Sequence, residues 1–218
     1  MKKYHRKLSL ITNFGCSHKC WYCIWNSHPL KHINLETDWN KFEKLASRYC
    51  EYNNVISVSG GGDCLYKYNQ NKDWWNQLFQ IAEKLKIKIN VHSRTKIEDE
   101  EFLSKINKYV FSSDDLDKDI SYLNYLIHTV PIRVRIVHVV TADTTDVIAQ
   151  KYIDFCFKHM VHCQLTFKEL VGFSDNGRYK ELKSKYLGKY NTIFLNTGDY
   201  NIYFMPNNKI YSHFNLIK

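Results

Sequence analysis

Strand-like and helix-like segments alternate along most of this chain, and that alternation narrows the folds open to it more than any other feature. Residues 7–12 (KLSLIT), 55–59 (VISVS), 87–93 (IKINVHS), 109–111, 133–141 (RVRIVHVVT) and 163–170 (CQLTFKEL) read as strands, rich in β-branched and apolar residues. Residues 37–52, 73–85, 97–106, 116–127 and 146–159 read as helices between them. The first helix carries Trp39, Phe42, Leu45, Ala46 and Tyr49 on one stripe, with Thr37 or Asp38 as its cap. Strands alternating with helices predict an α/β fold with a parallel sheet and right-handed crossovers. Six such units predict a partial (βα)6 TIM-like barrel. After Gly172 the pattern changes. NTIFLNTGDYNIYFMPNNKIYSHF reads as short antiparallel strands with PNNK as a turn. The expected organisation is a core over residues 1–172 and a short β-hairpin extension over 173–218, packed on the barrel.

Composition excludes several classes. A chain of 218 residues with 44% apolar and 24% charged residues can bury a sizeable core. Eight glycines and three prolines argue against linkers and low-complexity tracts. There is no apolar run of about 18 residues, so no membrane span is expected. The segment MKKYHRKLSLITNFGC has basic residues but lacks the apolar core of a signal peptide. Seven cysteines, an odd number with three close together, do not resemble a disulfide framework, and the expected compartment is cytoplasmic. The net charge of +9 is spread along the chain. It reads either as a solvated basic surface or as attraction to a polyanion, a phosphorylated substrate or an acidic protein.

A parallel α/β barrel places chemistry at the carboxyl ends of its strands. TNFGCSHKCWYC follows the first strand, GGGDC the second, HSR the third and SSDD the fourth. Within the first of these, Cys16, Cys20 and Cys23 fall inside eight residues. Three soft thiolates on one loop suit three irons of a 4Fe–4S cluster and leave the fourth iron open to an external ligand. With His18, His28 or His32 the same thiols could instead hold a structural zinc. A pure electron-transfer cluster normally takes four thiolates.

CSHKCWYC resembles the CxxxCxxC motif of radical S-adenosylmethionine (SAM) enzymes, including the aromatic Tyr22 before the last cysteine. The resemblance implies a 4Fe–4S cluster on Cys16, Cys20 and Cys23, with S-adenosyl-L-methionine bound at the open iron. It further implies reductive cleavage to methionine and a 5′-deoxyadenosyl radical that abstracts hydrogen from a substrate. The family fold is a partial (βα)6 barrel. SGGGDCL resembles the family's Gly-Gly-Glu segment at the end of the second strand, with Asp63 for Glu and Cys64 for the frequent Pro. Gly61, Gly62 and Asp63 would then position the methionine moiety.

Softer matches extend the set. VHSR resembles a third-strand segment of the aminomutase branch, so Ser93 and Arg94 would help hold SAM. Ser113 and Asp114 of SSDD would meet the ribose hydroxyls. RIVHVV and LTFKELVG resemble the fifth and sixth strands of glycyl-radical activating enzymes. That match puts Arg135 against SAM, Leu165 near adenine and Lys168 where those enzymes carry a histidine. An electron donor such as flavodoxin or ferredoxin is implied. The substrate is left open between a partner protein, a nucleotide or deazapurine as in carboxy-deazaguanine synthase, and a peptide or other small molecule. The non-enzymatic alternative is a zinc- or iron–sulfur-binding module.

Among the remaining cysteines, Cys50 and Cys156 lie on apolar helix stripes and read as core thiols, as does Cys163. Cys64 would adjoin SAM. His92 and His138 lie on predicted strands facing either substrate or a structural partner. Trp21, Trp25 and the loop to Glu36 are placed to shield the cluster.

Overall fold

The computed structural model describes residues 7–33, 35–50, 54–130, 132–170, 177–189, 192–195 and 201–212. In chain order its strands and α-helices are β1 (Lys7–Gly15), α1 (Trp39–Tyr49), β2 (Val55–Gly62), α2 (Lys72–Lys84), β3 (Lys88–Ser93), α3 (Glu100–Ser104) and β4 (Lys108–Ser112). They continue with α4 (Leu116–His128), β5 (Arg133–Val140), α5 (Asp146–Lys158), β6 (Cys163–Glu169), α6 (Gly177–Tyr186), β7 (Thr192–Leu195), β8 (Asn201–Phe204) and β9 (Ile210–Tyr211). The boundary expected at 172/173 lies outside the described residues.

The chain divides into two compact units. The first takes its described residues from Met1–Thr95, Lys105–Asn107 and Asp199–Lys218. Its strands lie in the order β3-β2-β1-β8-β9. Pairing is parallel from β3 through β8, and β9 is antiparallel to β8. Leu8, Leu10, Ile56, Val58, Ile89 and Val91 of these strands are buried together with Phe42, Ala46, Trp75 and Leu78 of the helices. The helix start predicted at Thr37 or Asp38 falls to Asp38, whose Oδ1 accepts from the Lys41 N–H at 2.9 Å. Thr37 instead accepts from the Trp74 indole N–H at 2.8 Å.

The second unit takes Lys96–Ser104 and Lys108–Gly198, with strands in the order β7-β6-β5-β4. The described pairs β4–β5, β5–β6 and β6–β7 are all parallel. Thr145 caps α5 by accepting from the Ile148 N–H at 3.2 Å. Helix α3 is shorter than the expected 97–106. The Tyr122 hydroxyl holds both the N–H and the carbonyl of Ile97, at 2.9 and 2.8 Å, so that residue cannot enter the helix. The turn begins where Asp99 accepts from the Phe102 N–H at 2.9 Å.

The α/β class and the parallel pairing agree with expectation. The partial (βα)6 barrel does not: the sheet is open, and no such barrel is formed. The tail is not a separate hairpin: strand β8 pairs parallel with the outer edge of β1, and β7 with the outer edge of β6. Only β8–β9, turning through Asn207 and Asn208, keeps the predicted antiparallel form. Among the described residues no helix is long and apolar enough to cross a membrane.

Candidate functional site

The first unit brings three of the sequence motifs to one place. Strands β1, β2 and β3 are parallel and in register at Leu10↔Val58 and Val58↔Val91, so their carboxyl ends share one edge. The cysteine loop leaves β1 there, the glycine turn ends β2, and Ser93 ends β3. Absent side chains permit this convergence. The Asp63 N–H donates to the Gly15 carbonyl at 2.9 Å. Gly62 has φ +106°, and a Cβ on it would stand 2.4 Å from that same oxygen. A Cβ on Gly61 would lie 2.0 Å from the Trp25 ring, which is stacked on His28 at 4.4 Å between centroids. Trp25 therefore covers the glycine turn, whereas Trp21 is 64% exposed.

Asp63 is buried at the centre of this edge. Its Oδ1 accepts from the Leu65 N–H at 2.9 Å and the Ser93 hydroxyl at 2.5 Å. Its Oδ2 accepts from the N–H groups of Arg94 and Thr95 at 2.8 and 3.1 Å. These four donors fill the accepting positions of a carboxylate. Asp63 thus ties the end of β2 to the end of β3, and Ser93 spends its hydroxyl on the same bond. His18 lies beside them, its Nε2 buried without a hydrogen-bond partner and 4.0 Å from Asp63 Oδ2. The sequence suggested His18 only as a zinc ligand; its approach to Asp63 depends on the fold of the loop.

The three cysteines are reduced; Cys16 is exposed, and Cys20 and Cys23 are half-buried. Backbone N–H of Cys23 donates to the Cys20 carbonyl at 3.1 Å, forming the turn that follows. Cys16 Sγ accepts from the His18 N–H at 3.3 Å, and Cys20 Sγ from Arg94 Nη1 at 3.4 Å. The Cys16 thiol is raised above its ordinary 9.0, first by withdrawal of part of the sulfur from water, against a lowering by the His18 N–H. Asp63, Cys20 and Cys23 each lie near enough to Cys16 to add to the rise. Among the described residues no three His, Cys, Asp or Glu side chains are gathered closely enough to hold a metal ion. The donor set nonetheless fits a thiolate-bound cluster. It offers three soft sulfurs on one loop, two of them already accepting N–H bonds of the kind that support ligating thiolates. Tyr22 stands half-buried beside Trp21, ring centroids 5.5 Å apart.

The second unit carries the remaining softer matches and separates them. Arg135 is in register with Gln164, and Ile136 with Leu165. Side chains alternate between faces, so Arg135 and Lys168 point to one face and Leu165 to the other. Leu165 is buried in the core, and Arg135 donates through Nε to Gln164 Oε1 at 2.7 Å. Asp114 and Lys168 are exposed. Ser113 is fully buried: its hydroxyl donates to Asp119 at 2.7 Å and lies 2.9 Å from the Tyr152 hydroxyl. The Ser113 hydroxyl expected to meet ribose is committed to this network instead.

His138 belongs to the same network. Its Nδ1 is 3.1 Å from the Ser113 carbonyl, which can only accept, so the proton sits on Nδ1. Its Nε2 then accepts from Thr144 Oγ1 at 3.2 Å. Burial lowers its pKa from the ordinary 6.5, opposed by the Ser113 carbonyl and the Asp114 charge. A neutral buried histidine opposes acidification: below 6.5 the unfolded chain binds a proton that the folded one refuses. His138→Gln is expected to flatten the fall in stability between pH 7 and 5, by up to ~1.4 kcal/mol per pH unit below the ordinary value. Urea unfolding of both proteins at the two pH values measures this; parallel losses would show that His138 is not responsible.

The other cysteines are core residues. Cys50, Cys64, Cys156 and Cys163 are buried, with Cys156 and Cys163 sulfurs 3.4 Å apart and reduced. Cys64 donates to the His92 carbonyl at 3.2 Å, and burial pushes its thiol well up, which disfavours the thiolate. A groove of about 360 Å³ between α4 and α5, lined by Leu116, Ile120, Lys151, Phe155 and His159 among others, contains none of the predicted site residues. The chain matches no protein-family model, and no curated protein is significantly similar to it.

Proposed function

We propose that the chain is a radical SAM enzyme that carries a 4Fe–4S cluster on Cys16, Cys20 and Cys23. The observation that carries this reading is the meeting, on one sheet edge, of the cysteine loop after β1, the Gly-Gly-Asp turn after β2 and Arg94 after β3. The Asp63 N–H to Gly15 bond of 2.9 Å and the Arg94 to Cys20 contact of 3.4 Å join all three. Closure into a barrel is no part of it.

When bound, the cluster supplies the electron that cleaves SAM to methionine and a carbon radical able to take hydrogen from a substrate. The chain's own part is to bind and orient. Cys16, Cys20 and Cys23 would ligate three irons. The peptide carbonyls of Gly61 and Gly62 would receive the methionine ammonium, because the Asp63 carboxylate is already filled by four donors. Trp25 over the glycine turn would exclude water. The zinc alternative loses one of its candidate ligands, since His28 is buried with Nδ1 accepting from the Leu30 N–H at 3.2 Å. The substrate class stays with those named above, a partner protein, a nucleotide or a small molecule. An acidic flavodoxin or ferredoxin suits the +9 charge as electron donor.

The test is anaerobic reconstitution with iron and sulfide, reduction, addition of SAM and chromatography for 5′-deoxyadenosine. Wild type is expected to yield it with dithionite, and with flavodoxin in a salt-sensitive manner. Cys16→Ala, Cys20→Ala and Cys23→Ala are expected to yield none. Zinc retained without iron–sulfur absorbance would overturn the reading in favour of a structural metal module.

A further inference from the structure

We propose that Arg94 is a positioning residue that sets the reduction potential of the cluster through Cys20; the inference rests on the function proposed above. Two bonds define its place. Its backbone N–H donates to Asp63 Oδ2 at 2.8 Å, which fixes the residue at the end of β3. Its guanidinium then crosses to the cysteine loop, where Nη1 donates to Cys20 Sγ at 3.4 Å. Arg94 is half-buried, so the contact is partly shielded from water. Among the described cysteines of the loop, Cys20 accepts from a cationic side chain, whereas Cys16 accepts from a neutral backbone N–H at 3.3 Å.

The chemistry follows from charge. One electron from the external reductant enters the cluster, no bond is made or broken, and the sulfur ligands become more electron-rich. An N–H donor on a ligating thiolate, and a positive charge beside it, stabilise the reduced state more than the oxidised one. Reduction potentials of thiolate-bound clusters follow hydrogen bonds to sulfur and local charge in this way. Arg94 therefore makes the cluster easier to reduce. This differs from the role implied by the resemblance, in which the same arginine touches SAM.

The two roles separate in a titration without SAM. Wild type, Arg94→Lys and Arg94→Gln are reconstituted, their iron, sulfide and visible absorbance measured, and the reduced cluster followed by electron paramagnetic resonance against applied potential. Arg94→Gln is expected to shift the ratio of oxidised to reduced cluster about tenfold at fixed potential, a fall of ~59 mV for one electron. Arg94→Lys, which keeps the charge but not the planar donor, is expected to lie between. Equal potentials at equal cluster content would overturn the proposal, as would loss of the cluster from both variants, which would mark a merely structural contact. Equal potentials with weakened SAM binding would assign Arg94 to SAM instead. Wild type that assembles no cluster at all fails at the first step, and the enzymatic reading fails with it.

Discussion

Gly62→Ala is expected to destabilise the first unit by at least about 3 kcal/mol, and the loss is expected to come from two independent causes. At φ +106° an alanine is strained wherever it stands. Its Cβ would also lie 2.4 Å from the Gly15 oxygen and 2.8 Å from its carbon. Backbone cannot yield as a side-chain tip can, and the same oxygen is held by the Asp63 N–H at 2.9 Å. Relief would have to part β1 from β2 at the mouth of the candidate site. Gly188 provides the comparison: its φ is +78°, but a Cβ there meets nothing within 4 Å. Gly188→Ala should lose only the conformational part, roughly 1–2 kcal/mol. Urea unfolding followed by circular dichroism compares the two. Equal losses would show that the close approach of Gly62 to Gly15 contributes nothing.

Asp63→Asn is expected to lower stability by roughly 2–4 kcal/mol. The amide must set its NH2 against donors on one side or the other. Against the N–H groups of Arg94 and Thr95 it would take the acceptor from the Arg94 N–H and leave the Thr95 N–H only the Ser93 hydroxyl, at 2.9 Å. Turned the other way, it can give a proton to the Ser93 hydroxyl, but the Leu65 N–H then loses its acceptor. Ser93→Ala removes one donor and leaves three satisfied, for about 1 kcal/mol. Ligand-free unfolding is the measurement. A stable Asp63→Asn protein that fails only when SAM is added would mean that the carboxylate serves the ligand and not the fold.

Much of the order of elements can be read from residue patterns, because α1, α2, α4 and α5 bury a continuous stripe at helical spacing. Helix α6 was not readable. It buries only Tyr179, Leu182 and Tyr186 among lysines, a serine and a glutamate, and so looks like a solvated tail. With α6 unseen, β7 had no crossover and passed for part of an antiparallel hairpin; in fact it pairs parallel with β6. Within the candidate site, the convergence of cysteines, glycines and Ser93–Arg94 followed from their places after successive strands. Their commitments did not. That Asp63 is filled by Leu65, Ser93, Arg94 and Thr95, or that Ser113 is buried against Asp119 and Tyr152, depends on directions a linear pattern does not carry. Leu165 and Arg135 show the same limit. Each matched a motif singly, but strand alternation sends them to opposite faces.

The pairing of β8 with β1 has a kinetic side. Lys7–Leu10 lie against Asn201–Phe204, so the edge of the first strand is completed only by residues almost a chain length away. Contacts so distant in sequence are slow to form, since the intervening loop must close before they return any stabilisation. During synthesis, the buried Leu8 and Leu10 of β1 would wait beside an unpaired strand edge until residues 201–204 left the ribosome. The unit that carries the cysteine loop is therefore the one whose assembly finishes late. A cluster that needs the finished β1 edge would be received only after residues 201–204 have paired with it.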